Sequence, residues 1–117
     1  MSWEFERSAY RIPYPPSARA KFQIDKFELV CVDCSERGIR YVATSATLPE
    51  AGARIAGTVT LLSSRQGYAV EGTVMRCEGH EVALALDAPG IPAQALFDEQ
   101  RYLAKRFPAR YSAGAKR

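Results

Sequence analysis

Apolar side chains recur at every second position through most of this chain, the period of a strand that buries one face. Ala18, Ala20, Phe22 and Ile24 alternate with Arg19, Lys21 and Gln23, and Asp25-Lys26 makes a turn. Phe27, Leu29 and Cys31 carry the alternation on to Asp33, and residues 39–43 read as a third strand. After a loop containing Pro49 and Gly52, Ile55, Val59 and Leu61 alternate with Arg54, Thr58 and Thr60. A turn over residues 63–67 leads to a long fifth strand, 68–77. Glu78-Gly79 joins it as a short hairpin to a sixth, in which Val82, Leu84 and Leu86 alternate with Glu81, Ala83 and Ala85. Six short strands separated by turn residues predict a mainly β protein, a six-stranded antiparallel β-barrel closed on itself.

The period changes once. Leu96, Gln100, Leu103 and Phe107 share one face at helical spacing, Pro92 suits a first helical turn, and Pro108 stops the run, so a C-terminal α-helix is expected. At the other end, Pro13, Pro15 and Pro16 forbid helix and favour extended backbone. Trp3, Phe5, Tyr10 and Tyr14 make that segment too aromatic for an inert tail. The organisation expected is an extended N-terminal arm over 1–18, a barrel with its helix over 19–108, and a disordered basic tail over 109–117.

At 117 residues the chain holds one domain with one core. A net charge of +3 is a weak footprint for nucleic acid. The kind of cation says more. Twelve Arg stand against four Lys, and Arg is the residue of forked and stacked contacts. No apolar run approaches the roughly twenty residues of a membrane span, no secretory signal pattern opens the chain, and three cysteines make no disulfide framework. A cytoplasmic location is expected.

Two short segments carry candidate chemistry. Arg7-Ser-Ala-Tyr-Arg11 offers two guanidinium groups beside the Pro-rich arm. Asp33-Cys-Ser35-Glu-Arg-Gly38 offers a carboxylate, a hydroxyl and a glycine in one turn. Guanidinium forks suit phosphate oxygens and the O6/N7 edge of guanine, and a carboxylate accepts the N–H donors on guanine's other edge. Together they describe a receptor for a guanine nucleotide. Arg40 and Arg76, on strands, are further candidates for the binding face. Catalysis is not expected: His80 is the one histidine and lies at a hairpin, and Ser35 has no base beside it.

The segments match RxxxR followed, after some two dozen residues, by (D/N)xSxxG, and the chain resembles the PilZ domain family, bacterial receptors for cyclic diguanylate (c-di-GMP). The resemblance implies a six-stranded barrel with a C-terminal helix, the element order already reached from periodicity. It implies that Arg7 and Arg11 grip phosphates and guanine edges, that Asp33 and Ser35 bond a guanine, and that Gly38 lets the backbone turn and approach the ligand. It implies a single-domain adaptor: ligand reorders the arm, and the changed surface speaks to a protein partner. Glu6 stands where many members carry a further Arg.

Other readings compete. A PilZ-like adaptor could bind protein alone. Cys31-Val-Asp-Cys34 and Cys77-Glu-Gly-His80 have the spacing of a Cys3His zinc site. Against zinc, Cys31 falls on the apolar phase of its strand, Cys34 fills a variable position of the second motif, and the barrel needs no metal to build a core. No cofactor or metal is therefore expected. Small basic barrels also bind single-stranded nucleic acid, but here the aromatics gather in the arm rather than on a strand.

Overall fold

The structure, a computed structural model, describes residues 11–115, with side chains placed to residue 111. Arg7, Glu6 and the aromatics before Arg11 lie outside the described residues. The elements in chain order are β1 (Ile12–Pro13), β2 (Lys21–Ile24), β3 (Phe27–Ser35), β4 (Gly38–Val42), β5 (Arg54–Thr60), β6 (Gly67–Glu78), β7 (Glu81–Leu86), α1 (Ala93–Arg106) and α2 (Pro108–Ala115).

The predicted six strands are present and close into an antiparallel barrel. β2 pairs with β3 and β5, β5 with β6, β6 with β7, β7 with β4, and β4 with β3. The alternating positions decide what faces inward. Phe22, Cys31, Tyr41, Val59 and Val82 are fully buried, and the Phe22 and Tyr41 rings meet at 4.8 Å between centroids, within the favoured range for tilted aromatic pairs.

The described part of the arm is extended, as its prolines predict, and it packs on the domain by joining the sheet. Ile12 and Pro13 form a seventh, two-residue strand on β3, in register with Cys34 and Asp33, and the Tyr14 N–H donates to Val32 O at 3.0 Å. β2 covers only the first half of β3, from Phe27 to Val30. β1 occupies the vacant second half and satisfies backbone groups that would otherwise line an open edge. The strand expected from Ala18 begins instead at Lys21, because the Ala18 N–H turns back to Pro15 O at 3.1 Å.

The helix lies where its period put it. Leu96, Glu99 and Leu103 are buried. Lys105 and Arg106 fall in the last turn, where cations suit the helix dipole. The stop at Pro108 was expected to lead into a disordered tail. The structure instead begins α2 at Pro108, and the reason is the same ring: proline ends one helix because it lacks an N–H, and its fixed φ suits the first turn of the next. Tyr111 of α2 packs against the core and donates its hydroxyl to Pro13 O, so the second helix closes over β1.

One buried carboxylate joins these parts. Glu99 has no exposed surface. Its carboxylate accepts from the Tyr14 hydroxyl at 2.6 Å and from the backbone N–H groups of Leu62 and Ser63, both at 2.9 Å. Tyr14 lies 3.6 Å from Cys34 Sγ inside the barrel. Burial, followed by the neighbouring Cys34 and Glu99, pushes the Tyr14 hydroxyl far above the usual phenol range, so it serves as a donor at any physiological pH.

Glu99→Ala strips the partner from one buried and two part-buried donors and should cost on the order of 3 kcal/mol, read as a lower urea midpoint. Tyr14→Phe removes one of the three and should cost about 1–2 kcal/mol. Unchanged midpoints would contradict the role given to this carboxylate. The thiols make a second test. Burial pushes Cys34 up to about 12 and Cys31 well above the usual thiol range, whereas Cys77 is part-exposed on β6. At pH 8 a thiol reagent should modify Cys77 alone in the native protein, and Cys31 and Cys34 only on unfolding. Rapid reaction of all three would mean an open core.

Candidate functional site

The site begins with a bulge. A regular β3 would keep Leu29, Cys31, Asp33 and Ser35 on one face, and the alternation read from sequence did carry Cys31 through to Asp33. The pairing of β3 with β4 slips between Cys31 and Asp33. Cys31 lies opposite Tyr41, Asp33 opposite Arg40, Cys34 opposite Ile39 and Ser35 opposite Gly38. One extra residue thus turns Asp33 to the outer face and Cys34 into the core, where it is fully buried.

Asp33 is on the outside of the barrel yet 2% exposed, because other groups cover it. Arg40 forks onto its Oδ2, through Nε at 2.8 Å and Nη2 at 2.6 Å. Arg11, just ahead of β1, donates Nη1 to Oδ1 at 3.1 Å. Both carboxylate oxygens therefore accept from guanidinium groups. Charge-assisted contacts of this kind are the strong ones, and they offset the cost of taking the carboxylate out of water. The Asp33 carboxylate raises the Arg40 pKa in turn. Arg40 also reaches Glu81 at 3.4 Å.

Beside this cluster lies a shallow depression of about 470 Å³ on the faces of β4, β7 and β6. Four arginines border it: Arg11, Arg37, Arg40 and Arg76. Its floor is bare, because Gly38 pairs with Ala85 and Arg40 with Ala83. Small residues flanked by guanidinium groups leave room for a flat ligand to lie against the sheet, with donors at its rim. Such a surface can bind phosphate oxygens bidentately and stack on an aromatic base. The β3–β4 turn that holds Arg37 is clamped from outside: Gly90 has φ +73°, and a Cβ there would fall 1.9 Å from Glu36 O. Only glycine allows that approach.

The structure brings Arg11 and Asp33 into contact and sets Ser35 opposite Gly38 at the end of the β3–β4 ladder. Ser35 Oγ donates to Gly38 O at 3.2 Å, which closes the turn locally. Gly38 was expected to let the backbone turn. It is instead the first residue of β4, outside the left-handed region, and a Cβ there would meet Ser35 Oγ and Leu84 O at ordinary contact distances, 3.5 and 3.7 Å. The turn is made by Glu36 and Arg37, and what Gly38 contributes is the absence of a side chain on the floor. Arg40 and Arg76, the strand candidates, both border the depression. Arg37 was not singled out. It occupies a variable position of the second motif, and its Nε donates to Leu86 O at 3.0 Å. Met75 was missed because it occupies a second bulge, between Val74 and Arg76, which strict alternation does not anticipate. The Cys-x-x-Cys and Cys-x-x-His pairs are not brought together as a set: Cys31 and Cys34 lie inside the barrel, Cys77 Sγ donates to Pro49 O at 3.4 Å, and no group of three or more metal-ligating side chains occurs among the described residues.

Comparison with known proteins bears on the fold and the family. Among curated proteins nothing matches. The solved structure of the Bacillus subtilis inhibitor of motility, MotI/DgrA, is similar at a TM-score of 0.51 and 19% sequence identity, over 86% of this chain and 50% of that one. The likeness is one of fold, and this chain spans half the length of that protein. The PilZ domain model matches residues 5–104, which takes in both motifs, the whole barrel and nearly all of α1. The chain belongs to the PilZ domain family.

Proposed function

We propose that this chain is a receptor for cyclic diguanylate that relays the second messenger to a protein partner. The observation that carries the reading is the contact between the two motifs at the edge of a four-arginine depression: Arg11 on Asp33 at 3.1 Å, with Arg40 behind. A dianionic dinucleotide with two planar bases matches guanidinium groups around a flat, bare floor. Asp33 accepts the N1–H and N2–H donors of one guanine, and Ser35 supports that edge. Arg40 stays on Oδ2 and keeps the carboxylate oriented. Arg11, half-exposed, leaves Oδ1 for a ligand phosphate. Arg7, four residues earlier, adds a second guanidinium as the segment ahead of β1 folds over the ligand. The rearranged segment alters the surface beside α2, and a protein partner reads that change.

A second reading is favoured by one specific feature. Both oxygens of Asp33 are already occupied, so the same cluster works as a structural lock in an adaptor that binds protein without nucleotide. The two readings predict different titrations.

Calorimetric titration with c-di-GMP should give saturable heat at micromolar ligand; no heat at tens of micromolar removes the receptor reading. Arg11→Ala and Asp33→Ala should each weaken binding by roughly ten- to a hundredfold, the worth of a good forked contact. Arg11→Ala should cost about 1 kcal/mol, less than the loss of Arg40, because Arg11 is half-exposed and water reaches Oδ1 of the buried carboxylate once it is gone. Arg40→Ala should lower stability by about 1–3 kcal/mol by uncovering one oxygen of a buried carboxylate. Arg40→Lys should not restore it fully, since an ammonium cannot make the fork.

A further inference from the structure

Asp33 and Arg11 account for one end of the depression. The other end is built by the bulge in β6. There Val74 pairs with Leu84 and Arg76 with Ala83, so Met75 is the extra residue, and its side chain is 59% exposed. The bulge sets Met75 and Arg76 side by side on the rim, where a regular strand would send them to opposite faces. Register lines up a row across the outer face: Arg76 beside Ala83, Ala83 beside Arg40, Arg40 beside Asp33. At the usual strand spacing, three steps separate Asp33 from Arg76 by about 14 Å. Arg76 is loosely held, with Nε 3.9 Å from Glu78, the acidic side chain that faces it, while Glu81 is engaged by Arg40.

We infer that this far end, Met75 and Arg76 of β6 over Ala83, seats the second guanine of the cyclic dinucleotide. The inference rests on the c-di-GMP reading and deepens it. In the extended form of a cyclic dinucleotide the two bases lie at opposite ends of the ring, and a ligand bound in that form with one base at Asp33 has the other roughly a dozen ångströms away along the same face, near Arg76. Met75 supplies a polarizable apolar surface for the face of a purine. Arg76 supplies a donor fork for O6 and N7, the edge that distinguishes guanine from adenine. The two ends then read different edges: Asp33 takes the N1–H and N2–H side of one guanine, and Arg76 takes the O6/N7 side of the other. Adenine presents an amine where guanine presents O6, and Arg has no acceptor for it.

The test uses a hybrid ligand. Cyclic GMP–AMP has one guanine for Asp33 and places adenine at Arg76. The unaltered chain should bind c-di-GMP roughly tenfold more tightly than the hybrid. Arg76→Ala should weaken c-di-GMP about tenfold, leave the hybrid nearly unchanged, and so erase the preference. Met75→Ala should weaken both ligands alike by a few-fold. Both side chains are exposed, so thermal melting should confirm an intact fold. A preference that survives Arg76→Ala, or an equal loss for both ligands, overturns the inference while leaving the receptor reading standing if Asp33→Ala abolishes both. Absence of c-di-GMP binding to the unaltered chain overturns the two together.

Discussion

The Glu99 carboxylate, closed off inside the molecule, is the point on which the rest of the fold converges. There α1, the turn after β5 and the arm share a single acceptor. A carboxylate is costly to bury, and three donors make it tolerable only if each of those segments is where it is. Through Tyr14 the constraint reaches Cys34, the neighbour of Asp33 in the chain. Through the same Tyr14 it fixes the exit of β1, and hence the position from which Arg11 reaches Asp33. The outer-face site thus has a hidden inner support, with opposite faces of β3 serving the two.

Two bulges do for the site what alternation cannot. Each adds a residue to a strand and reverses the facing of the residues beyond it. In β3 this sends an acidic side chain outward and a thiol inward. In β6 it sends a thioether and a guanidinium to the same rim. Between them the floor is made by the small residues Gly38, Ala83 and Ala85, beside Ile39 and Leu84. The barrel therefore presents a smooth strip with charge at its margins rather than a pocket, suited to a broad planar ligand more than a compact one.

Much of this was legible in the sequence. The six strands and α1 follow from period-two and helical spacing, and the two motifs pointed to Arg11 and Asp33, which the fold brings into contact. Legibility failed where a local rule was broken for a tertiary reason. Nothing in the alternation from Leu29 to Asp33 announces an extra residue, so the outward turn of Asp33 could not be read. Arg40 could be seen only as a strand arginine, because its partner is fixed by the shifted register. Proline at 108 was read for what it forbids, the continuation of a helix, and not for what it starts. Glu99 showed only as a polar residue beside an apolar helical face, since its three partners are distant in sequence.

The short seventh strand sets a limit on motion. β2 is too brief to cover β3, so Ile12, Pro13 and Tyr14 complete the barrel wall. Lifting them would leave Val32 O unpaired and a raw strand edge facing solvent, an invitation to aggregation that natural sheets avoid. It would also pull Tyr14 from Glu99. From Ile12 onward the arm is thus barrel wall rather than a movable flap.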